Sequence, residues 1–201
     1  EYIPIFTKLR AKHGVYSILG NHDYGDYRPW DSKTAKQENL EKLYQAHGRL
    51  GWNLLLNDHA VIEVSGAQFA ILGVHYWGNL GRFSEQPNDT DRGDIQKAKA
   101  SLPEDMMKIL LSHDPSHFDV EVLDDKDIEL TLSGHTHGAQ FGVENRWLRW
   151  SPSQYFYPKW AGLYQVKDQF LYVNRGFGFL GYPGRVGILP EVTELILRKK
   201  V

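Results

Sequence analysis

Cysteine is absent from these 201 residues. Its absence excludes disulfides and thiolate metal sites, though it does not fix a compartment. No apolar run approaches the roughly 20 residues of a membrane span, and no signal peptide begins at Glu1. An excess of charge of either sign is missing as well: the formal net charge is -2, which gives no reason to expect nucleic acid as a bulk electrostatic partner. Repeats and low-complexity linkers are missing, and the length suits one domain, 1–201, with a sizeable core. An initiating Met is missing too. The chain opens in mid-stride on Glu1-Tyr2-Ile3-Pro4-Ile5-Phe6 and reads as a fragment of a longer protein.

What is present centres on Gly134-His135-Thr136-His137-Gly138, directly after the apolar, β-branched run Ile128–Leu132 and Ser133. Two imidazoles one residue apart, on a loop between glycines, can aim at neighbouring points of one cleft. Neutral imidazole is also the commonest biological metal ligand near neutral pH. Two further stretches repeat the arrangement. Gly20-Asn21-His22-Asp23 follows the strand-like run Val15–Leu19, and Ser112-His113-Asp114-Pro115 follows Lys108–Leu111. Ligands of open α/β sheets bind outside the carboxyl ends of strands. Three such ends carrying metal-compatible side chains are hard to explain as surface decoration.

Elsewhere the chain alternates strands with short helices, an α/β pattern. Phe6 to Lys12 reads as the end of a helix. A longer helix is expected from Asp31 or Ser32 to about His47, with Leu40, Leu43, Tyr44 and His47 on its buried stripe and Gly48 as its stop. His47 therefore reads as a packed histidine. Leu54–Leu56 is a short strand, and Ala60–Val64 with Gln68–Val74 make a hairpin. His75 to Asp91 is a loop, and His75 reads as solvated. Asp94–Leu102 is a helix, and another starts near His117 and Asp119. Leu163–Val166 and Phe170–Val173 form a hairpin, and Val192–Leu197 is expected as a last strand. Twelve of the chain's aromatic residues fall within Arg146–Pro183, where Trp147, Trp150, Tyr155, Phe156, Tyr157 and Trp160 interleave with Arg146, Arg149 and Lys159. That mix suits an interface, or else simply covers the sheet.

In this order the three motifs, Gly-Asn-His-Asp, a lone His after a strand and Gly-His-x-His, resemble the calcineurin-like metallophosphoesterase family, from about Val15 to Gly138. The resemblance implies a four-layer αββα sandwich and metal-dependent hydrolysis of a phosphomonoester or phosphodiester by a metal-bound hydroxide. Two divalent metal ions roughly 3.5–4 Å apart would neutralise charge and generate that nucleophile. A mixed oxygen and nitrogen shell suits Mn, Fe or Zn. Carried over by motif, Asn21, His113 and His135 bind one metal and His137 the other. His22 faces substrate as a cation or general acid, and Asp23 holds the His22 imidazole, unless it only forms the turn before Tyr24. Asp114, followed by Pro115, reads as a turn-former. Arg175, at a strand end, is a candidate for bidentate phosphate binding.

The family pattern also begins with Asp-x-His and Gly-Asp on two earlier strands, and neither occurs upstream of Gly20 here. These N-terminal strands and their bridging carboxylate are expected in the parent protein, and residues 1–201 alone are expected to be inactive. The closest likeness is to a bacterial branch of membrane-associated phosphodiesterases and pyrophosphatases acting on lipid A precursors. That likeness implies a lipid-linked substrate and a membrane surface for the full-length protein, with this chain a soluble part of it. The rival reading is a catalytically incomplete scaffold of the same fold that binds protein partners. Retention of Asn21, His22, His113, His135 and His137 argues against it.

Overall fold

The computed structural model describes residues 2–78 and 92–198. Most of the loop expected between His75 and Asp91 lies outside them. The described residues make a mixed α/β fold around one six-stranded sheet. Its strands are β3 (Asp58–Val64), β4 (Ala67–Gly73), β5 (Met107–Leu111), β6 (Leu130–Ser133), β9 (Gly162–Val166) and β10 (Gln169–Val173), in the order β3-β4-β5-β6-β10-β9. The four central strands run parallel, and β3 and β9 close the edges antiparallel. A second, two-stranded parallel sheet pairs β1 (Tyr16–Ser17) with β2 (Asn53–Leu54). A small antiparallel pair joins β7 (Val143–Glu144) to β8 (Arg149–Trp150). Of the two packed sheets that the resemblance implied, one is six-stranded and the other is the β1–β2 pair. The two sheets meet at Gly73, where a Cβ would lie 2.3 Å from Cβ of Leu55.

Parallel strands are covered on both faces, and so read as continuous apolar runs. Leu72, Leu110, Leu171 and Val173 are fully buried among Phe118, Val122 and Ile128. Each such side chain contributes about 1.5–3 kcal/mol on burial. Lys108 is the charged exception, being 1% exposed within β5. Its ammonium donates to the carbonyls of Pro103, Glu104 and Met106, at 2.8, 3.1 and 2.8 Å, which satisfies its three hydrogens.

Four expectations shift. The opening helix α1 covers Ile3–Phe6 rather than reaching Lys12, and α2 (Lys33–Leu50) runs through Gly48. Gly51, not Gly48, takes the left-handed conformation (φ 74°) that ends a helix. The helix expected to reach Leu102 is the single turn α3 (Ile95–Ala98). No strand forms at Val192–Leu197. There the side chains of Glu191 and Thr193 hydrogen-bond Tyr172 and Asn174 of the β10 region, which replaces a backbone ladder with side-chain anchors. His47 is packed as expected, 2.8 Å from Oγ of Ser17 and edge-on to Trp52.

Candidate functional site

The central strands share one direction, so their carboxyl ends present loops to one side of the sheet. β5 delivers Ser112-His113-Asp114 and β6 delivers Gly134–Gly138, and the N–H of Gly134 donates to the carbonyl of His113 at 3.0 Å. From the small sheet, β1 delivers Gly20–Asp23, a single 3₁₀ turn over Asn21–Tyr24. The loops converge on a cavity of about 580 Å³, and Asn21, His22, Asp23, His113, His135 and His137 all line it. Arg175 is not among its lining. Its guanidinium is paired instead with Glu191 (2.7 Å) and with Glu144.

Contacts among these side chains are specific. Asn21 donates its Nδ2 to the hydroxyl of Tyr27 at 2.6 Å, which turns Oδ1 toward Nε2 of His113 at 3.1 Å. The absent Cβ of Gly20 makes room for that ring: a methyl there would lie 2.7 Å from Cε1 of His113. His113 and His135 stand edge to face, 5.0 Å between ring centres. His22 is exposed and stacks on Tyr27 at 4.3 Å. Asp23 does not hold the His22 imidazole as expected. Its carboxylate accepts the N–H of Gly20 at 2.7 Å and so caps the start of its own turn, while its own N–H donates to the Gly20 carbonyl at 3.1 Å.

Asp114 is a turn-former and more. One oxygen accepts the N–H of Ser116 (2.8 Å). The other accepts the hydroxyl of Tyr76 (3.4 Å) and stands 3.8 Å from Nε2 of His135. His135 also meets the hydroxyl of Tyr157 at 2.7 Å through Nε2. Tyr76 did not stand out in the sequence, and Tyr157 did so only among the aromatics of the 146–183 segment, because nothing in spacing separates a tyrosine beside a site histidine from a packed one. His75, read as solvated, is half-buried with Nδ1 3.0 Å from the hydroxyl of Tyr24.

Burial, reinforced by mutual repulsion, keeps the imidazoles neutral. It pushes His113 down to about 3 and lowers His135 and His137 as well. Neutral rings keep the lone pair that a metal needs. Burial and the Asp114 carboxylate push the Tyr157 phenol up to about 12. Burial also raises the carboxyl of Asp23, against the hydrogen bond from Gly20.

The backbone of the two-histidine loop is unusual. His135 (φ 68°), His137 (50°), Ala139 (49°) and Gln140 (55°) are left-handed without being glycine. Such residues cost about 1–3 kcal/mol each and persist where the surroundings over-determine them. Here the surroundings do. Thr136 donates Oγ1 to the carbonyl of Trp160 (2.7 Å), and Ser151 donates to that of Gly138 (2.7 Å). Gln140 donates to the carbonyls of Tyr182 and Gly184 at 2.7 and 2.8 Å, and accepts from the N–H of Leu180. Arg185 reaches the carbonyl of His137 at 3.3 Å.

The donor chemistry fits a metal in part. Two donors bound to one ion at about 2.1 Å and near right angles lie about 3 Å apart, as Oδ1 of Asn21 and Nε2 of His113 do. Nδ1 of His137 is buried with no hydrogen-bond partner. Yet among the described residues no three His, Asp or Glu side chains are grouped to hold an ion by themselves. The donors fit in kind and fall short in number.

A family model described as calcineurin-like phosphoesterase matches residues 1–139. The chain is 30% identical to the uncharacterized metallophosphoesterase YkoQ of Bacillus subtilis, over 96% of this chain and 63% of that protein. It is 30% identical to the phosphodiesterase YaeI of Escherichia coli, over 98% and 63%. It is also 30% identical to a transmembrane protein with metallophosphoesterase domain from Bos taurus, over 95% and 40%. The chain therefore spans less than two thirds of the length of these relatives.

Proposed function

The chain belongs to the calcineurin-like phosphoesterase family, and on that premise we propose that it is the larger part of a metal-dependent hydrolase of phosphoesters, phosphodiesters in particular. The observation that carries this reading is the convergence of Asn21, His22, His113, His135 and His137, from three separate strand ends, on one cavity. A scaffold has no use for that set.

In the proposed assignment Asn21, His113 and His135 hold one divalent ion and His137 contributes to a second, with Mn, Fe or Zn as the metals. When bound, the ions supply charge neutralisation and a nucleophile stronger than water. The chain's own residues do the rest. Tyr27 orients both the Asn21 amide and the His22 ring. His22, exposed at the cavity wall, stabilises phosphoryl charge and delivers a proton to the leaving oxygen as its P–O bond breaks. Asp23 shapes the turn that presents both residues. These donors leave the metal shell short of carboxylates, so residues 1–201 by themselves are expected to hold at most one ion weakly and to be inactive.

Part of the substrate is proposed to be apolar or lipid-linked, and the full-length protein to work at a membrane surface. Trp147, Tyr155 and Phe156, exposed at 87%, 72% and 80%, support this, as does the transmembrane naming of the bovine relative. No described helix is long and apolar enough to cross a membrane. The test is to count metals in the full-length protein and to assay it on a bis-aryl phosphodiester. Two bound ions with turnover are expected. Absence of both would leave the scaffold as the better account.

A further inference from the structure

Tyr157 lies outside the residues matched by the family model, yet its side chain lines the cavity beside the histidines. Its position is built, not incidental. The segment preceding it is a 3₁₀ turn, Pro152–Tyr155, capped by Ser151, whose Oγ accepts the N–H of Ser153. Oγ of Ser151 donates in turn to the carbonyl of Gly138, and the N–H of Tyr157 donates to the carbonyl of Ser153 at 2.8 Å. Three residues on, the carbonyl of Trp160 receives the hydroxyl of Thr136. The Tyr157 backbone is thus tied on both sides to the two-histidine turn. Its ring stands edge-on to His135, 5.3 Å between centres and 81° between planes.

The hydrogen-bond inventory decides what the hydroxyl does. Nε2 of His135 faces Oη of Tyr157 at 2.7 Å and Oδ2 of Asp114 at 3.8 Å. A carboxylate accepts only, so it favours a proton on Nε2. Nε2 being engaged, Nδ1 is the nitrogen left for an ion, and a ring ligating through Nδ1 carries its proton on Nε2. That N–H then donates to Oη. The phenol's own hydrogen has no other acceptor among the described residues, and the hydroxyl borders the cavity. Resting on the hydrolase reading above, we propose that Tyr157 is a substrate-contacting residue whose O–H donates to an oxygen of the phosphoryl group bound between His22 and His135. The donated bond stabilises charge that grows on that oxygen as the P–O bond breaks, and the proton stays on the phenol.

The test uses the full-length, metal-loaded protein and Tyr157→Phe, which keeps the ring against His135 and removes only the hydroxyl. Turnover of a bis-aryl phosphodiester, inhibition by inorganic phosphate, bound-metal count and Tm are read together. Expected are an unchanged metal count and Tm, kcat/KM lower by about 100-fold, as for loss of one oxyanion donor, and weaker inhibition by phosphate. An unchanged kcat/KM at full metal occupancy overturns the proposal. So does a variant that loses metal but recovers full turnover when metal is added, since Tyr157 would then only orient His135. A wild-type protein that neither turns over substrate nor binds phosphate overturns the hydrolase reading, and this inference with it.

Discussion

His22 and Gly20 are two residues apart and do opposite kinds of work. His22 touches no ligand candidate through a hydrogen bond and stacks on Tyr27, so its loss should leave the donors in place. His22→Asn in the full-length protein is expected to keep its metals while kcat falls by about 10²–10⁴-fold, the usual contribution of a general acid–base group. Metal analysis beside turnover checks this, and unchanged turnover with metals confirmed would sink the role. Gly20 has an ordinary φ of -103°, so alanine is tolerated by the backbone there. Its methyl, however, would press on the His113 ring at 2.7–2.9 Å. Gly20→Ala should therefore weaken metal binding by about 10-fold or more, the scale of effect of groups that orient a ligand, with little change in Tm. Isothermal titration with Mn²⁺ separates the two effects, and an unaltered affinity would show that the ring has room to move.

At the scale of elements, the left-handed turn His137–Gln140 and the chain segment 176–188 form one unit. Gln140 is 6% exposed and spends its whole amide on that segment. Gln140→Leu leaves the Gly184 carbonyl and the Leu180 N–H without their side-chain partner, the Tyr182 carbonyl keeping the N–H of Gly184, and should cost about 1–3 kcal/mol. Faster hydrogen exchange at residues 138–142 and 180–186 is the expected signature, and unchanged protection would refute the coupling. Close by, Glu191 ties residues 172–193 together. Burial raises its carboxyl, but hydrogen bonds from Tyr172, Arg175 and Thr193 outweigh this and hold it down to about 2. A depressed carboxylate stabilises the fold above its ordinary value of 4.5, and that contribution is lost as pH falls from there toward 2. Glu191→Gln should be less stable at pH 7 and should lose less on acidification through this window. Denaturant midpoints measured at pH 7, 4.5 and 3 test the sign. His117 works in a different window. Its burial holds it neutral to about 4 against the pull of Glu121, so its destabilisation begins as pH drops below the ordinary 6.5.

On the whole molecule, the aromatic segment divides in two. Trp160 packs with Ala161 and Ile188 as core, while Trp147, Tyr155 and Phe156 face outward. Two of the interleaved basic residues are already matched: Arg149 lies 3.5 Å from Glu144 and Lys159 2.5 Å from Asp119. Any membrane contact on this face is therefore apolar more than electrostatic. Co-sedimentation with vesicles should be similar for zwitterionic and anionic compositions and insensitive to salt. Absence of binding to either, with equal rates on soluble and lipid-linked phosphodiesters, would remove the lipid-linked reading.

While the parallel pairing of the central strands came from the structure, residues 1–201 carried, in their order alone, the family, the positions of those strands and the six polar residues that line the cavity. Those features are local. A buried parallel strand must be apolar along its length, and a ligand loop must follow its end, so both are written in consecutive residues. The pairing of Arg175 with Glu144 and Glu191 was not legible, because ion-pair partners 16 and 31 residues apart meet only once β10 and the β7–β8 pair are placed. For the same reason Val192–Leu197 has the β-branched and apolar content of a strand and forms none, since a strand exists only where a neighbour offers it a free edge. Gly48 and Gly51 are equal as letters, and only the packing of α2 decided which turned left-handed. Tyr157 depended on tertiary structure most of all: its chemistry lies in which nitrogen of His135 it faces, a matter of distance and direction between two loops that sequence does not encode locally.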